Sequence, residues 1–190
     1  MITPTTKLEE LIHIERQAIP SDLCDYIIET IESDNWKPHE WTNALSYENQ
    51  GSEKDKELDV NHASDHLADQ LFPLIENSCK KYQSLYGDNR SIVGKLSNIR
   101  FNRYSENQIM RNHIDHIVSI FDGNDRGIPV LSIIGNLNDD YEGAKLTFWD
   151  DYSLDLGKGD LIIWPSLFLY PHRVTEATQG TRYSFVTWAF

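Results

Sequence analysis

The pattern of hydrophobic residues changes at about residue 92, and this change constrains the fold more than any other feature of the chain. Beyond it, short runs of β-branched and aromatic residues alternate with acidic and glycine-containing turn segments. The clearest runs predict strands over 96–104, 129–137, 145–149, 160–164 and 182–190. The turn signals between them include 122–125, 139–143 and 157–160. A succession of about eight short strands is typical of a double-sheet jelly roll or barrel.

The first 90 residues have a different character and predict helices joined by loops. A helix is predicted over 22–32, with Ser21 as its N-cap. A second helix is predicted to start near Asn61 and to run to about Tyr86, with a kink or break at Pro73. We therefore expect one domain of α+β class over 1–190, with helical and loop support over 1–90 and a mainly β core over 91–190.

The polar, irregular segment 35–60 separates the two predicted helices. One interpretation is a surface loop. The other is a substrate lid that carries Trp36, Trp41 or Tyr47, because long loops in compact domains are often functional.

Composition limits the partners and the compartment. The net charge of −13 argues against binding to nucleic acid or to an anionic membrane, because both require a surplus of basic residues. The two cysteines, Cys24 and Cys79, form no metal-binding cluster, and each falls in a predicted helix. With no signal peptide and no apolar run of membrane-spanning length, we expect a cytoplasmic protein.

A candidate metal site begins with His113 and Asp115. In a strand, residues two apart point to the same face, so both side chains can reach one ion. His172 lies 57 residues beyond Asp115 and would add a second imidazole. Two histidines and one carboxylate on one face of an octahedron leave three positions open, as in non-haem iron(II) oxygenases.

The His-x-acid spacing is weak evidence by itself. Seven histidines and 30 acidic residues among 190 would give about one such pair by chance. A second pair exists, His13 and Glu15, in a segment that we interpret as helical, where the two side chains would diverge. His116 is an alternative metal ligand, because in a helix it would share a face with His113 in place of Asp115.

Arg182 strengthens the metal-site hypothesis. It lies 10 residues after His172 and opens the last predicted strand, among aromatic residues. A guanidinium binds a carboxylate through two parallel hydrogen bonds, and a buried arginine needs a counter-charge. The far carboxylate of 2-oxoglutarate would supply it. The alternative is a structural ion pair with Asp160 or Glu176.

The ordered motifs of residues 96–190 resemble those of the prolyl 4-hydroxylase type of 2-oxoglutarate/iron(II) dioxygenases, including short microbial and viral members. The similar segments are 100–104 followed by 113–115, 137–143 followed by 146–148, 157–160, 171–174, and 180–184 followed by Trp188. The resemblance implies a double-stranded β-helix with helices packed outside it. It also implies hydroxylation of a substrate carbon with dioxygen and 2-oxoglutarate, and ascorbate is a further candidate cofactor.

Carried over position by position, the resemblance implies that His113, Asp115 and His172 ligate iron(II). It implies that Arg182 and Tyr104 hold the distal carboxylate of 2-oxoglutarate. The alternative for Tyr104 is a plain core tyrosine.

The resemblance leaves the substrate open. Trp188 matches an aromatic residue that lines the site, and Arg111 or Arg103 near the metal motif could anchor a substrate carboxylate. Ala144 and Lys145 stand where the family usually has a glycine and an acidic residue, and Asn136 stands where it often has a tyrosine. A prolyl residue of a peptide or protein is one substrate. The alternatives are a free amino acid, another peptide side chain or a small metabolite, and, in another class, a cupin-like metal- or sugar-binding jelly roll without catalysis.

Overall fold

The structure is a computed structural model that describes residues 3, 5–40, 56–86, 93–115 and 127–190. The predictions at Trp41, Tyr47, His116 and the turn 122–125 lie outside the described residues.

Two α-helices and thirteen strands make up the described part of the chain, with a short 3-10 helix at Leu8–Leu11. The helices are α1 (Ser21–Glu32) and α2 (Asp65–Leu85). The strands before residue 128 are β1 (His13–Glu15), β2 (Lys37–Pro38), β3 (Asp59–His62), β4 (Arg100–Tyr104) and β5 (Met110–His113). The later strands are β6 (Leu131–Asn136), β7 (Glu142–Gly143), β8 (Leu146–Phe148), β9 (Tyr152–Ser153), β10 (Leu161–Pro165), β11 (His172–Val174), β12 (Ala177–Gln179) and β13 (Arg182–Ala189).

The strands form two main antiparallel sheets and one small pair. The larger sheet has the order β1-β10-β6-β13-β4-β3-β2, and the smaller has the order β5-β11-β8-β9. Strands β12 and β7 pair separately. Three strands of the larger sheet, β1, β2 and β3, come from the first 90 residues, so this part of the chain does more than cover the core.

The two faces of the larger sheet contact different partners. The outer face packs against the buried sides of α1 and α2 in one hydrophobic cluster, which includes Ile27, Leu71, Phe101 and Phe185. The inner face packs against the smaller sheet in a second cluster, which includes Tyr104, Phe148, Trp164 and Val186. Because side chains alternate across a strand, each central strand contributes to both clusters. The mainly β core with helices packed against it is therefore confirmed as a two-sheet sandwich.

The helix boundaries differ from the prediction at their starts. Helix α1 begins at Ser21 itself, so Pro20 occupies the N-cap and no side chain caps the helix. Helix α2 begins at Asp65, with Ser64 as its N-cap, because the preceding residues pair with β4 as β3. Pro73 lies inside the continuous span of α2.

The segment 13–15 is a strand, and the helical interpretation of it was wrong. It pairs with β10, and tertiary pairing determines the conformation of so short a segment. His13 and Glu15 share a face, but that face meets α2, where Glu15 pairs with Lys81 and the His13 ring lies 6.3 Å from the Tyr82 ring.

Cys24 and Cys79 are buried and unpaired, as expected of small apolar residues in helices. Neither helix in the described ranges has the length and apolar character required to cross a bilayer.

Candidate metal centre

Three side chains with metal-ligating atoms meet between the two sheets. His113 ends β5 and His172 begins β11, and these residues are direct partners in the antiparallel register. Asp115 follows two residues after His113, on the same side of the extended chain. One ligating atom from each residue lies within 4.8 Å of the others. The sequence prediction that these three residues converge therefore agrees with the geometry.

Backbone carbonyls hold both imidazole rings. The Nδ1 atom of His113 donates to the carbonyl oxygen of Arg111 at 2.8 Å, and Nδ1 of His172 donates to that of Tyr170 at 3.0 Å. A carbonyl oxygen can only accept, so each Nδ1 carries a proton, and Nε2 is the ring nitrogen left to ligate a metal ion. The Nε2 atoms lie 3.6 Å and 3.8 Å from the carboxylate oxygens of Asp115. This is how metal-ligating histidines are usually oriented.

The protonation states of the cluster suit a cation. Burial lowers the pKa of His172 to about 4, although Asp115 raises it, so the ring is neutral at pH 7. Burial alone would raise the pKa of Asp115, but His172, His113 and a hydrogen bond from Ser132 outweigh it and hold the pKa well below its usual value. The donor set thus includes the neutral imidazole of His172 and the carboxylate of Asp115.

Two serines that no sequence motif marks support Asp115. The hydroxyl of Ser132 on β6 donates to Oδ2 of Asp115 at 2.6 Å. It also lies 2.6 Å from the hydroxyl of Ser166, and both serines are buried. Aromatic rings enclose the other side of the cluster, with the rings of Trp164 and Phe148 centred 5.1 Å and 5.5 Å from that of His172. The cluster therefore lies in a shielded cavity.

Arg182 begins β13 and is fully buried on the inner face. Its Nε donates to Oδ1 of Asn136 at 3.0 Å, and one terminal nitrogen donates to the carbonyl oxygen of Ala144 at 3.1 Å. Among the described residues, its other terminal nitrogen is buried without a hydrogen-bond partner. Neither of the proposed structural partners forms an ion pair with it within the described ranges, and Asp160 pairs instead with Arg16 at 2.6 Å.

An unpartnered nitrogen on a buried cation is costly unless an anion occupies the adjacent space. Tyr104 is paired with Arg182 in the register of β4 and β13, and the guanidinium lies 5.4 Å from the centre of its ring. Burial raises the pKa of Tyr104, although Arg182 and Arg100 lower it, so the hydroxyl stays protonated and can donate. The pair fits a carboxylate, and the His/Asp/His cluster fits a divalent metal ion.

The residues predicted near the substrate lie in different environments. Trp188 lies on the inner face of β13 and lines the cavity of the cluster. Arg111 is half exposed, and its Nε lies 2.6 Å from a carboxylate oxygen of Glu57. Arg103 faces the opposite side of the sheet, where it pairs with Asp59 at 2.9 Å and covers the ring of Trp36. Trp36 thus belongs to the outer packing.

Two further residues of the inner face were missed from the sequence. Asn136, noted only as a departure from the family pattern, holds Arg182 through its side-chain oxygen. Arg100 on β4 lines both the cavity of the cluster and a neighbouring cleft of about 430 Å³. The spacing of two between Arg100, Asn102 and Tyr104 predicts that Arg100 shares a face of the strand with Tyr104.

Comparisons with known proteins agree with this geometry. Residues 99–190 match the family described as the 2OG-Fe(II) oxygenase superfamily. A PKHD-type hydroxylase from Delftia acidovorans is 36% identical over 97 residues, which cover 47% of this chain and 41% of that protein. The chain thus spans less than half of the length of this relative.

Solved structures share the fold over nearly the whole chain. A prolyl-4-hydroxylase from Pseudomonas putida superposes with a TM-score of 0.66 at 16% identity, covering 94% of this chain and 91% of that one. A prolyl hydroxylase from Trichoplax adhaerens, in complex with a hypoxia inducible factor oxygen degradation domain peptide fragment, has a TM-score of 0.68 at 14% identity, covering 95% and 83%. At these low sequence identities, the comparisons show similarity of fold alone. With the family match, they support the resemblance that the motifs predicted.

Proposed function

We propose that this chain is a 2OG-Fe(II) oxygenase of the prolyl 4-hydroxylase-like type and that it hydroxylates a substrate carbon with iron(II), 2-oxoglutarate and dioxygen. One observation carries the proposal. The cluster of His113, Asp115 and His172 shares a protein interior with a buried arginine, Arg182, that has one nitrogen without a partner.

The chain's own residues would bind and orient the reactants. The Nε2 atoms of His113 and His172 and a carboxylate oxygen of Asp115 would hold the metal, and the three remaining coordination positions would stay open. When bound, iron(II) and 2-oxoglutarate supply oxidative decarboxylation of the acid coupled to hydroxylation of a C–H bond. Arg182 and Tyr104 would hold the distal carboxylate of 2-oxoglutarate.

The surroundings of the cluster would exclude water from the reaction. Trp164 and Phe148 shield His172, and Ser132 keeps Asp115 oriented by a short hydrogen bond. A fixed, dry site is what a protein contributes when the bound groups carry the difficult chemistry. The two sheets would form a double-stranded β-helix within one domain, with the cluster between them.

The substrate that we favour is a prolyl residue of a peptide or protein. The structural relatives named above are described as prolyl hydroxylases, and one of them holds a peptide fragment. A free amino acid, another peptide side chain or a small metabolite remains the alternative. Trp188 would form one wall of the substrate site.

The decisive experiment measures succinate formed from 2-oxoglutarate with iron(II), without added substrate. We expect turnover by the wild-type chain and none by Asp115→Ala. Glu15→Ala is a matched control, since it removes the acid of the other His-x-acid pair, on the far face of the sheet. Metal affinity, measured separately with Mn(II) or Co(II), should fall in Asp115→Ala alone.

Metal binding without 2-oxoglutarate binding or turnover would favour the cupin-like binding module over the oxygenase. Substrate class needs a second measurement, in which peptides with and without proline are compared for stimulation of succinate release and for a mass gain of one oxygen atom. Stimulation by compounds that lack proline would favour the alternative substrates.

A further inference from the structure

We infer that Arg100 is a second carboxylate-binding residue, which recognises an anionic group of the substrate at the mouth of the site. The inference rests on the proposed function and extends it by naming the chemistry of the substrate.

Arg100 shares the inner face of the larger sheet with the co-substrate pair. Side chains alternate along β4, so Arg100, Asn102 and Tyr104 point inward while Phe101 and Arg103 point to the helices. In the register of β4 and β13, Tyr104 lies opposite Arg182 and Arg100 lies opposite Val186. Two inward-facing arginines thus lie at opposite ends of the β4–β13 pair, and Arg100 lines the cavity that holds the His/Asp/His cluster.

The separation of the two arginines assigns them to different anions. Four residues separate the two positions along the strands, which corresponds to about 13 Å between the backbone positions at 3.3 Å per residue. Arg182 carries the buried, unpartnered nitrogen that we assign to 2-oxoglutarate, whereas Arg100 lines the cleft beside Trp188, so we assign Arg100 to another ligand.

The partners of Arg100 leave its terminal nitrogens available. Its Nε donates to Oδ1 of Asn102 at 3.1 Å, and its guanidinium lies 5.7 Å from the centre of the Trp188 ring. In the described ranges no carboxylate forms an ion pair with it. Burial lowers the pKa of Arg100, although Tyr104 and Asp115 raise it, so this cation has lost hydration that a bound anion would replace.

The cleft beside Arg100 leads towards the metal cluster. Its lining includes Arg100, Trp188 and Asp115, and these three residues also line the inner cavity. A substrate in the cleft could therefore present a C–H bond to the metal while its carboxylate meets Arg100 and its apolar part meets the Trp188 ring. The chain has a net charge of −13, which repels anions, and the positive charge of Arg100 would offset this repulsion locally for an anionic substrate.

A free carboxylic acid and an acidic residue of a peptide offer the same chemistry to a guanidinium, so the test includes both. The probes are the twenty N-acetyl amino acids and their C-terminal amides, and capped peptides containing Pro-Glu or Pro-Gln. Binding is measured to protein loaded with Mn(II) and 2-oxoglutarate, by the fluorescence of the five tryptophans or by calorimetry. This readout does not require turnover.

We expect at least one acid to bind the wild-type chain about 10- to 100-fold more tightly than its matched amide, because charge-assisted pairing is lost in the amide. In Arg100→Gln that preference should disappear, and Arg100→Lys should retain part of it. Arg103→Gln is a matched control, since Arg103 lies on the same strand over another tryptophan but faces the helices. It should retain the full preference.

The panel also identifies the source of the carboxylate. A preference confined to the N-acetyl amino acids indicates a small acid, and one confined to Pro-Glu peptides indicates an acidic peptide.

Three results would overturn the inference: acids and amides that bind equally, a preference that persists in Arg100→Gln, or a wild-type chain that binds 2-oxoglutarate but no acid in the panel. Failure of the wild-type chain to bind 2-oxoglutarate is a different result, because it removes the proposed function itself.

Discussion

The two faces of strands β4 and β13 carry different kinds of residue, although they belong to the same thirteen residues of chain. Facing the helices are Phe101 and Phe185, both fully buried in an apolar cluster. Facing the smaller sheet are Tyr104 and Arg182, buried together with an unpartnered guanidinium nitrogen. The outer face is what a stable sandwich needs, whereas the inner face bears a polar group whose burial is costly without a ligand.

This contrast indicates that the two faces of one strand have different roles, one in stability and the other in ligand binding. Apolar burial on one face stabilises the sheet, and the other face can then hold polar groups that contribute little to folding. Substitutions on the outer face should therefore change the free energy of unfolding, and substitutions on the inner face should change ligand binding.

The largest effect is expected for Phe185→Ala. The Phe185 ring lies against Gly135, where a side chain would have no room, so the pocket that the ring fills cannot close easily. We expect the free energy of unfolding to fall by about 3–5 kcal/mol, as for other buried aromatic truncations. Denaturant unfolding measures this fall, and the affinity of the folded protein for Mn(II) should be unchanged.

Phe148→Ala is the matched truncation on the inner side, because the Phe148 ring contacts His172. It should destabilise the chain by a similar amount and also weaken metal binding. If both variants weakened metal binding equally, the separation of the two faces would be wrong.

The next largest effect is a loss of affinity for 2-oxoglutarate in Arg182→Met. Removing one partner of a buried charge pair costs about 2–5 kcal/mol, so the affinity for 2-oxoglutarate should fall by about 30-fold or more. The ligand-free protein should lose less than about 1 kcal/mol, since an apolar side chain of similar length replaces an incompletely paired cation. Calorimetry with 2-oxoglutarate and denaturant unfolding measure the two quantities on the same sample.

Arg173→Met provides the comparison, because Arg173 donates to the backbone carbonyls of Trp149 and Asp150 away from the cavity. It should leave the affinity for 2-oxoglutarate intact. A large loss of stability in Arg182→Met with normal 2-oxoglutarate binding would mean that Arg182 is a structural residue.

The convergence of the three candidate metal ligands could be predicted from the sequence more closely than the boundaries of the elements. His113 and Asp115 were found because the spacing of two is a property of any strand, and Arg182 because a buried cation needs a counter-charge. The strands over 129–137 and 182–190 were found because long β-branched and aromatic runs suit only a buried sheet.

What the sequence did not predict depends on contacts between distant segments. His13 forms a strand only because β10 lies beside it, and the start of α2 is displaced because the residues before it pair with β4. The support of Asp115 by Ser132 and of Arg182 by Asn136 links residues 17 and 46 positions apart. No local pattern marks such partners, whereas Arg100 was within reach of the strand alternation and was overlooked.

The smallest expected effect is that of His39 on the free energy of unfolding in acid. His39 is buried beside the cations of this side, and burial, followed by Arg100, His113 and Arg111, lowers its pKa from 6.5 to about 4. The unfolded chain therefore binds a proton at a higher pH than the folded chain. The stability that the neutral ring allows is fully present above pH 6.5 and is lost as the pH falls towards 4.

For the metal-free protein we expect the wild-type chain to lose about 2 kcal/mol more than His39→Gln between pH 7.5 and pH 5, given that one unit of pKa shift corresponds to about 1.4 kcal/mol. Denaturant unfolding across this pH range gives the two curves. Parallel curves would mean that folding does not lower the pKa of His39. The charges of Arg100, His113 and Arg111 would then have no effect on its protonation. A wild-type curve that falls more steeply in acid would show that burial of His39 beside Arg100, His113 and Arg111 limits the stability of the folded chain at low pH.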